Sequence, residues 1–303
     1  MSRLLRSQVN GSRKLRELLA RPTPLLAPGA YDALTGRLIE AAGFDAVYMT
    51  GYGTAASRLG RPDVGLLTMS EMVDNARHIV EAVDVPVIAD ADTGYGNPVS
   101  VIRTVQEYER AGVGAIHIED QVWPKKCGHM EGKMVIPVED MVQKIQAAAA
   151  AKHSKDFVII ARTDARAVEG LDAAIKRGHL YRDAGADVLF IEAPQSEAEI
   201  VAISREFKNT PLLLNWLEGG KTPSLPLSRI TELGFRIVIF PLSSLLIATK
   251  EIRENLAKLK DDGTPISIMS RMTPFGDFVE FIGLPEIREL EQKFATKKSH
   301  YAA

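Results

Sequence analysis

Eight short apolar runs recur along the chain, and each is followed by a stretch of helical periodicity or by the chain's C-terminal extension. The runs lie at 25–30, 46–50, 85–92, 114–119, 157–162, 187–192, 211–215 and 236–240. Continuous apolar runs of this kind suit strands buried on both faces of a parallel sheet, since an exposed face would alternate with polar residues. The intervening stretches predict helices over 31–42, 70–83, 98–112, 137–152, 168–184, 196–207 and 226–233, after a short amphipathic helix over 12–20. Gly43 stops the helix over 31–42, Ser70 can cap the next and Pro98 opens the one after. Repeated strand–helix units predict an α/β fold, a (β/α)8 TIM-type barrel. A doubly wound open sheet is the alternative. No composition break or Pro/Ser linker divides the chain, so residues 1–303 are expected to form one barrel domain with a C-terminal helical extension. That extension includes a helix over 285–296, and the stretch 248–260 carries an apolar stripe that needs a partner.

Composition narrows the class of partner more than the fold. A net charge of -2 over 303 residues provides no field for a polyanion, so nucleic acid is not expected. One cysteine excludes an intramolecular disulfide framework and suits a reducing cytoplasm. No apolar run approaches the roughly 20 residues that span a bilayer, so no membrane is expected. Residues 1–7 are basic without a long apolar core, which argues for a plain helix and against a secretory signal.

Polar residues gather where the apolar runs stop. The ends carry Tyr48 and Thr50, Asp90 and Asp92, Glu119, Arg162, Glu192, and Asn215. In a parallel barrel these ends share one rim, the face where active sites are built. Asp90 and Asp92 are two apart, so on a strand their side chains leave the same face. With Glu119 they make three carboxylates, which repel unless a cation intervenes. Hard oxygen donors favour Mg2+ or Mn2+. Thr50, Gly51 and Tyr52 predict a loop whose backbone N–H groups bind a carboxylate. Arg162 offers a planar two-pronged donor for carboxylate, Glu192 can orient it, and Asn215 adds neutral hydrogen bonds. The expected ligand is a small dicarboxylate or tricarboxylate. No phosphate loop of the Gly-x-x-x-x-Gly-Lys type is present, and Gly51-Tyr-Gly53 lacks the third glycine of a dinucleotide fingerprint.

The most distinctive stretch is Lys125-Lys126-Cys127-Gly128-His129, in a segment that Pro124, Gly128 and Gly132 keep from being helical. Three lysines and a histidine lie within six residues of Cys127, and positive neighbours favour thiolate. This run resembles the Lys-Arg/Lys-Cys-Gly-His signature of the isocitrate lyase and phosphoenolpyruvate mutase superfamily. The likeness covers roughly residues 20 to 290. It implies the carbon–carbon lyase branch, because the mutase and decarboxylase branches lack the cysteine. It also implies a barrel whose last helices swap between the subunits of a homotetramer.

The resemblance assigns roles to particular residues. Asp90 and Asp92 become the metal site, with Glu119 nearby and Asp63, in Pro62-Asp63, on the loop above it. Cys127 becomes the acid that protonates a departing enediolate, and His129 and the loop lysines stabilise the thiolate left behind. Lys126 and Gly128 join Thr50, Gly51, Tyr52, Arg162, Glu192 and Asn215 around the substrate. Tyr48 is the first candidate for the base and a metal-bound water the second. Pro241, where isocitrate lyases carry threonine and oxaloacetate-hydrolysing enzymes serine, resembles the methylisocitrate and dimethylmalate lyases. Tyr52 and Leu217-Glu218-Gly219 resemble the dimethylmalate type more closely. The implied reaction is retro-aldol cleavage of a 2-hydroxy acid to a 2-oxo acid such as pyruvate plus a carboxylic acid. 2,3-Dimethylmalate ranks first, 2-methylisocitrate second and oxaloacetate hydrolysis third. A phosphonomutase-type activity and a non-enzymatic dicarboxylate-binding barrel are the readings from other classes.

Overall fold

The computed structural model describes residues 3–5 and 10–295. Of the helix expected over 1–7, only Arg3–Leu5 is described, as a single 3-10 turn. The rest of it lies outside the described residues, as does position 296 of the last predicted helix. One compact unit ends at Leu246 and a second begins at Ile247.

The first unit holds eight parallel strands. They are β1 (Leu25–Ala30), β2 (Val47–Met49), β3 (Val87–Asp90), β4 (Ala115–Glu119), β5 (Val158–Thr163), β6 (Val188–Ile191), β7 (Leu213–Asn215) and β8 (Ile237–Phe240). Their order is β6-β5-β4-β3-β2-β1-β8-β7, and a parallel bridge between Leu189 and Leu212 joins β6 to β7. The sheet therefore curls into a nearly closed barrel, and the open-sheet alternative falls. Around it run α1 (Gly11–Leu19), α2 (Ala33–Ala41), α3 (Gly51–Leu59), α4 (Met69–Ala82), α5 (Pro98–Arg110), α6 (Val138–Ala151), α7 (Ala165–Val168), α8 (Leu171–Asp183), α9 (Glu197–Glu206) and α10 (Leu227–Glu232).

Strand alternation builds two cores at once. Val47 and Met49 face the helices with Ile116, Ile118 and Ile159, while Tyr48 faces the barrel interior with Ile88, Ile160, Phe190 and Ile239. Both faces are buried, which is why the strands appear as unbroken apolar runs. Leu15 and Leu18 of α1 join the interior cluster. A Cβ on Gly114, just before β4, would lie 2.9 Å from the Gly11 carbonyl oxygen. Helix α1 thus plugs the amino-terminal end of the barrel and leaves the carboxy-terminal rim for chemistry. Register aligns the rim: Asp90 pairs with His117 and Glu119 with Arg162.

Three local expectations are corrected. Thr68, not Ser70, caps α4, in a reciprocal capping box with Glu71. A helix, α3, begins at Gly51 where a loop is predicted. The helix expected over 168–184 begins only at Leu171, as α8, because Gly170 has a φ of +94° that no helix can continue, and the short α7 precedes it.

Helix α11 (Ser243–Asp262) leads out of the barrel unit. The second unit continues with a 3-10 segment (Ile266–Arg271), α12 (Phe275–Phe281) and α13 (Leu284–Phe294). None of α11, α12 and α13 has a buried residue, and Ile252, Leu256 and Phe275 are 57%, 57% and 82% exposed. Among the described residues no helix is long and apolar enough to cross a membrane.

Candidate active site

Thr50, following β2, caps α3 by accepting a hydrogen bond from the Gly53 N–H at 3.1 Å. The first N–H groups of α3 have no carbonyl partner within the helix, and they carry its positive end. The backbone N–H groups of Gly51 and Tyr52 stand at a helix terminus, not in the loop expected for them. A Cβ on Gly51 would stand 2.3 Å from Asp90 Oδ2, so only glycine lets the helix start against that carboxylate.

Asp90 Oδ1 accepts from the Asp92 N–H at 2.9 Å and lies 3.5 Å from His117 Nε2. Asp92 sits beyond the strand with a left-handed φ of +46°, so this turn, not strand alternation, directs it. It meets Lys125, whose Nζ is 2.8 Å from Asp92 Oδ1 and 2.5 Å from Asp63 Oδ1. Burial pushes the Asp92 carboxyl up, Lys125 pulls it back, and Asp90 and Asp63 push it further, to about 6. Glu119 is set on a different cation: Arg162 Nη1 is 3.1 Å from its Oε2, and its buried Oε1 has no hydrogen-bond partner.

Tyr48 Oη lies 2.8 Å from His117 Nε2 inside the barrel. Burial raises the phenol well above its ordinary pKa, and the Asp90 charge adds to the rise. Burial thus favours the protonated phenol, and the neutral His117 Nε2 stands within reach of its proton. Burial also brings His117 down to about 4, so its ring is neutral.

The loop 122–134 is fastened at several points. The Gln121 side chain accepts from the Lys126 N–H at 2.9 Å and donates to the Lys126 carbonyl at 2.8 Å. The Lys126 ammonium turns to the Gly132 carbonyl, 2.7 Å away, so Lys126 shapes the loop and does not line the cavity. Lys133 donates to the Gly128 carbonyl and lies 3.0 Å from Asp164 Oδ1. Every lysine near Cys127 is engaged by another partner, and the expected thiolate is corrected accordingly. Burial pushes the partly buried thiol up, the His129 backbone N–H pulls it down, and Asp63 and Glu192 push it up again, to about 11. His129 Nδ1 accepts from the Lys221 N–H at 2.9 Å, which leaves the ring proton on Nε2, 2.8 Å from Glu192 Oε1.

Arg162 lines the cavity, but its fork is taken up by the chain's own carboxylates. Its Nε and Nη2 are 2.9 Å and 3.2 Å from the two oxygens of Asp164, and Glu192 Oε2 is 3.6 Å from Nε. Asp164, two residues on, therefore orients Arg162, and Glu192 is the lesser partner. Burial would raise the Glu192 carboxyl, but Arg162, His129 and Lys133 outweigh it and hold the group at about 2. Asn215 Nδ2 donates to Glu192 Oε1 at 3.2 Å, and its buried Oδ1 has no partner. A Cβ on Gly128 would lie 2.5 Å from Arg162 Nη2, so the loop backbone rests directly on this cluster. Tyr52, Leu217, Pro241 and Leu242 complete the cavity, whose volume is about 40 Å³. That space holds a few waters and not a six-carbon acid.

The family model described as phosphoenolpyruvate phosphomutase matches residues 15–260. A 2,3-dimethylmalate lyase from Eubacterium barkeri is 51% identical over 288 residues, covering 95% of this chain and 99% of that protein. The chain belongs to the phosphoenolpyruvate mutase/isocitrate lyase superfamily. A 2-methylisocitrate lyase from Aeropyrum pernix is 42% identical over 289 residues, 95% of this chain and 92% of that protein. A solved 2,3-dimethylmalate lyase of the same superfamily has a TM-score of 0.89 and 42% identity, covering 95% of this chain and 96% of that one.

Membership in this superfamily implies a divalent metal, and the residues fit one by their chemistry. Asp63, Asp90 and Asp92 are buried, anionic and all-oxygen, and the Lys125 ammonium stands where two of them converge. Among the described residues no three such donors form a ready-made cage. Sequence reasoning gave Lys125 and Lys133 only the thiolate to stabilise and did not pick out His117 or Asp164 as site members. Asp164 had a signal, the Arg162-Thr-Asp164 spacing, and Lys125 and Lys133 belonged to the basic run already singled out. Nothing local marked His117 as Tyr48's partner.

Proposed function

We propose that this chain is a carbon–carbon lyase that cleaves a 2-hydroxy dicarboxylate by retro-aldol chemistry. 2,3-Dimethylmalate is the first-ranked substrate, 2-methylisocitrate the second, and oxaloacetate hydrolysis the third. The observation that carries this reading is Cys127, a protonated thiol lining one cavity with Asp90, Arg162 and the apolar Leu217, Pro241 and Leu242. An apolar wall suits methyl substituents, and the start of α3 suits a carboxylate.

Members of the superfamily use a divalent metal. Asp90, Asp92 and Asp63 would hold Mg2+ or Mn2+ here, and such an ion would supply Lewis-acid polarisation and offset carboxylate charge. The chain's own groups do the rest. The N–H groups of Gly51 and Tyr52 bind a carboxylate, and Tyr48 Oη meets the reacting hydroxyl. The hydroxyl proton passes to Tyr48 Oη as Tyr48's own proton moves to the neutral His117 Nε2, and C2 becomes a carbonyl as the C2–C3 bond breaks. The electron pair stays on C3 and spreads into its carboxylate as an enediolate. Cys127 Sγ–H returns a proton to C3, and Arg162 and the His129 N–H stabilise the thiolate that remains. 2,3-Dimethylmalate gives pyruvate and propionate by this route.

The working molecule in this proposal is a cytoplasmic homotetramer, each chain one barrel domain whose helices beyond the last strand exchange with a neighbour. The test is direct. Each acid is incubated with purified protein, with Mg2+ and after exhaustive chelation, and pyruvate release is followed. Pyruvate from 2,3-dimethylmalate faster than from 2-methylisocitrate, and only with metal, is expected. No cleavage of either acid with Mg2+ present overturns the assignment.

A further inference from the structure

Lys133 closes the loop at the end opposite Lys125. Its side chain is 2% exposed, and its ammonium touches two groups: the Gly128 carbonyl and Asp164 Oδ1, at 3.0 Å from the latter. Gly128 follows Cys127 directly, so the peptide that carries the thiol is gripped by a residue five positions on. Asp164 is itself fixed. Its N–H donates to Asp120 Oδ1 at 2.9 Å, and its carboxylate takes the Arg162 fork. Asp120 is held in turn by the Thr163 and Tyr181 hydroxyls, at 2.7 and 2.8 Å.

Charge gives the contact its direction. Glu119, Asp164 and Glu192 are buried around one fixed cation, Arg162. Lys133 is a second cation, and it arrives on the loop. A raised loop leaves Asp164 short of a partner in a dry site, and a lowered loop supplies it. Removing one partner of a buried pair is costly because the other is left uncompensated.

We propose that Lys133 is a positioning residue: its ammonium, bridging Asp164 and the Gly128 carbonyl, holds the loop down so that the Cys127 thiol is presented to the cavity. This rests on Cys127 as the acid of the proposed lyase, but its decisive test needs no turnover. Cys127 is the chain's single thiol, so its rate of alkylation by iodoacetamide reports loop opening. The variants are Lys133→Met, which keeps the stem without the charge, and Lys133→Arg, which keeps the charge.

In Lys133→Met, alkylation at fixed pH rises roughly tenfold or more at temperatures well below its own melting transition, where the barrel stays folded. Lys133→Arg stays nearer the wild-type rate. On 2,3-dimethylmalate, Lys133→Met loses kcat with KM nearly unchanged, and Lys133→Arg recovers part of it. Equal alkylation in Lys133→Met and wild type overturns the proposal. So does an acceleration that only follows a fall in melting temperature in both variants. If wild type cleaves neither acid, the lyase reading fails while the alkylation rates still decide the role of Lys133.

Discussion

At the scale of single residues, the environment of Cys127 reverses what its sequence neighbours imply. Three nearby lysines look like a field that would ionise the thiol, yet each has its own acceptor, at Asp63 and Asp92, at the Gly132 carbonyl, and at Asp164. Which of two adjacent lysines points inward is decided by Gln121, whose amide clamps the Lys126 peptide. No local sequence signal carries that. The thiol, pushed from about 8.5 in an open chain to about 11, keeps its proton through neutral pH. Alkylation of the native protein should therefore climb with a midpoint near 11, and of the denatured chain near about 8.5. By linkage, the stability this group contributes is complete below the unfolded value and is lost as pH rises through the folded one. A native midpoint near 8.5 would show the thiol exposed. Cys127→Ser replaces the acid with a far weaker one. Turnover should fall by about a hundred- to ten-thousand-fold, roughly 3–5 kcal/mol in the barrier, with KM and melting temperature little changed. Near-normal turnover would remove Cys127 from the mechanism.

At the scale of elements, the strands were legible because burial on both faces writes each one as an unbroken apolar run. Their ends were legible too, since rim residues are polar where everything beneath them is not. What the pattern hid was α3. Its first residues, Gly51-Tyr-Gly53, look like a turn, and the reason for glycine there lies across the barrel in Asp90. Asp92 reaches Lys125, which also holds Asp63, by a left-handed turn and not by strand alternation. Gly51→Ala tests the element. A methyl group 2.3 Å from Asp90 Oδ2 must push α3 or the carboxylate aside. Overpacking of this kind costs about 1–3 kcal/mol of stability. Activity should fall by more than about tenfold, because misplacement of about 1 Å near reacting groups is enough to do so. An active variant with an unchanged melting temperature would mean that the start of α3 is not held against Asp90.

At the scale of the whole molecule, the barrel strands are buried on both faces, whereas α11, α12 and α13 have no buried residue. The apolar stripe over 248–260 was readable from its spacing, whereas what covers it cannot be read from one chain's periodicity. Ile252 and Leu256 are four apart, so they share a face of α11, and each is 57% exposed. Burying such a side chain is worth about 1.5–3 kcal/mol, a strong drive toward a partner surface. Placing aspartate at both positions adds the cost of desolvating charge to the loss of that gain. If the proposed exchange of helices between subunits is right, wild type has a multimer's mass by light scattering at micromolar concentration. Ile252→Asp combined with Leu256→Asp then shifts it toward the monomer mass of 33.1 kDa. The barrel should survive this change, because neither residue belongs to its cores. A retained circular dichroism spectrum alongside the fall in mass separates dissociation from unfolding. A wild-type protein that is already monomeric at that concentration would leave the exposed face of α11 without the neighbour proposed for it.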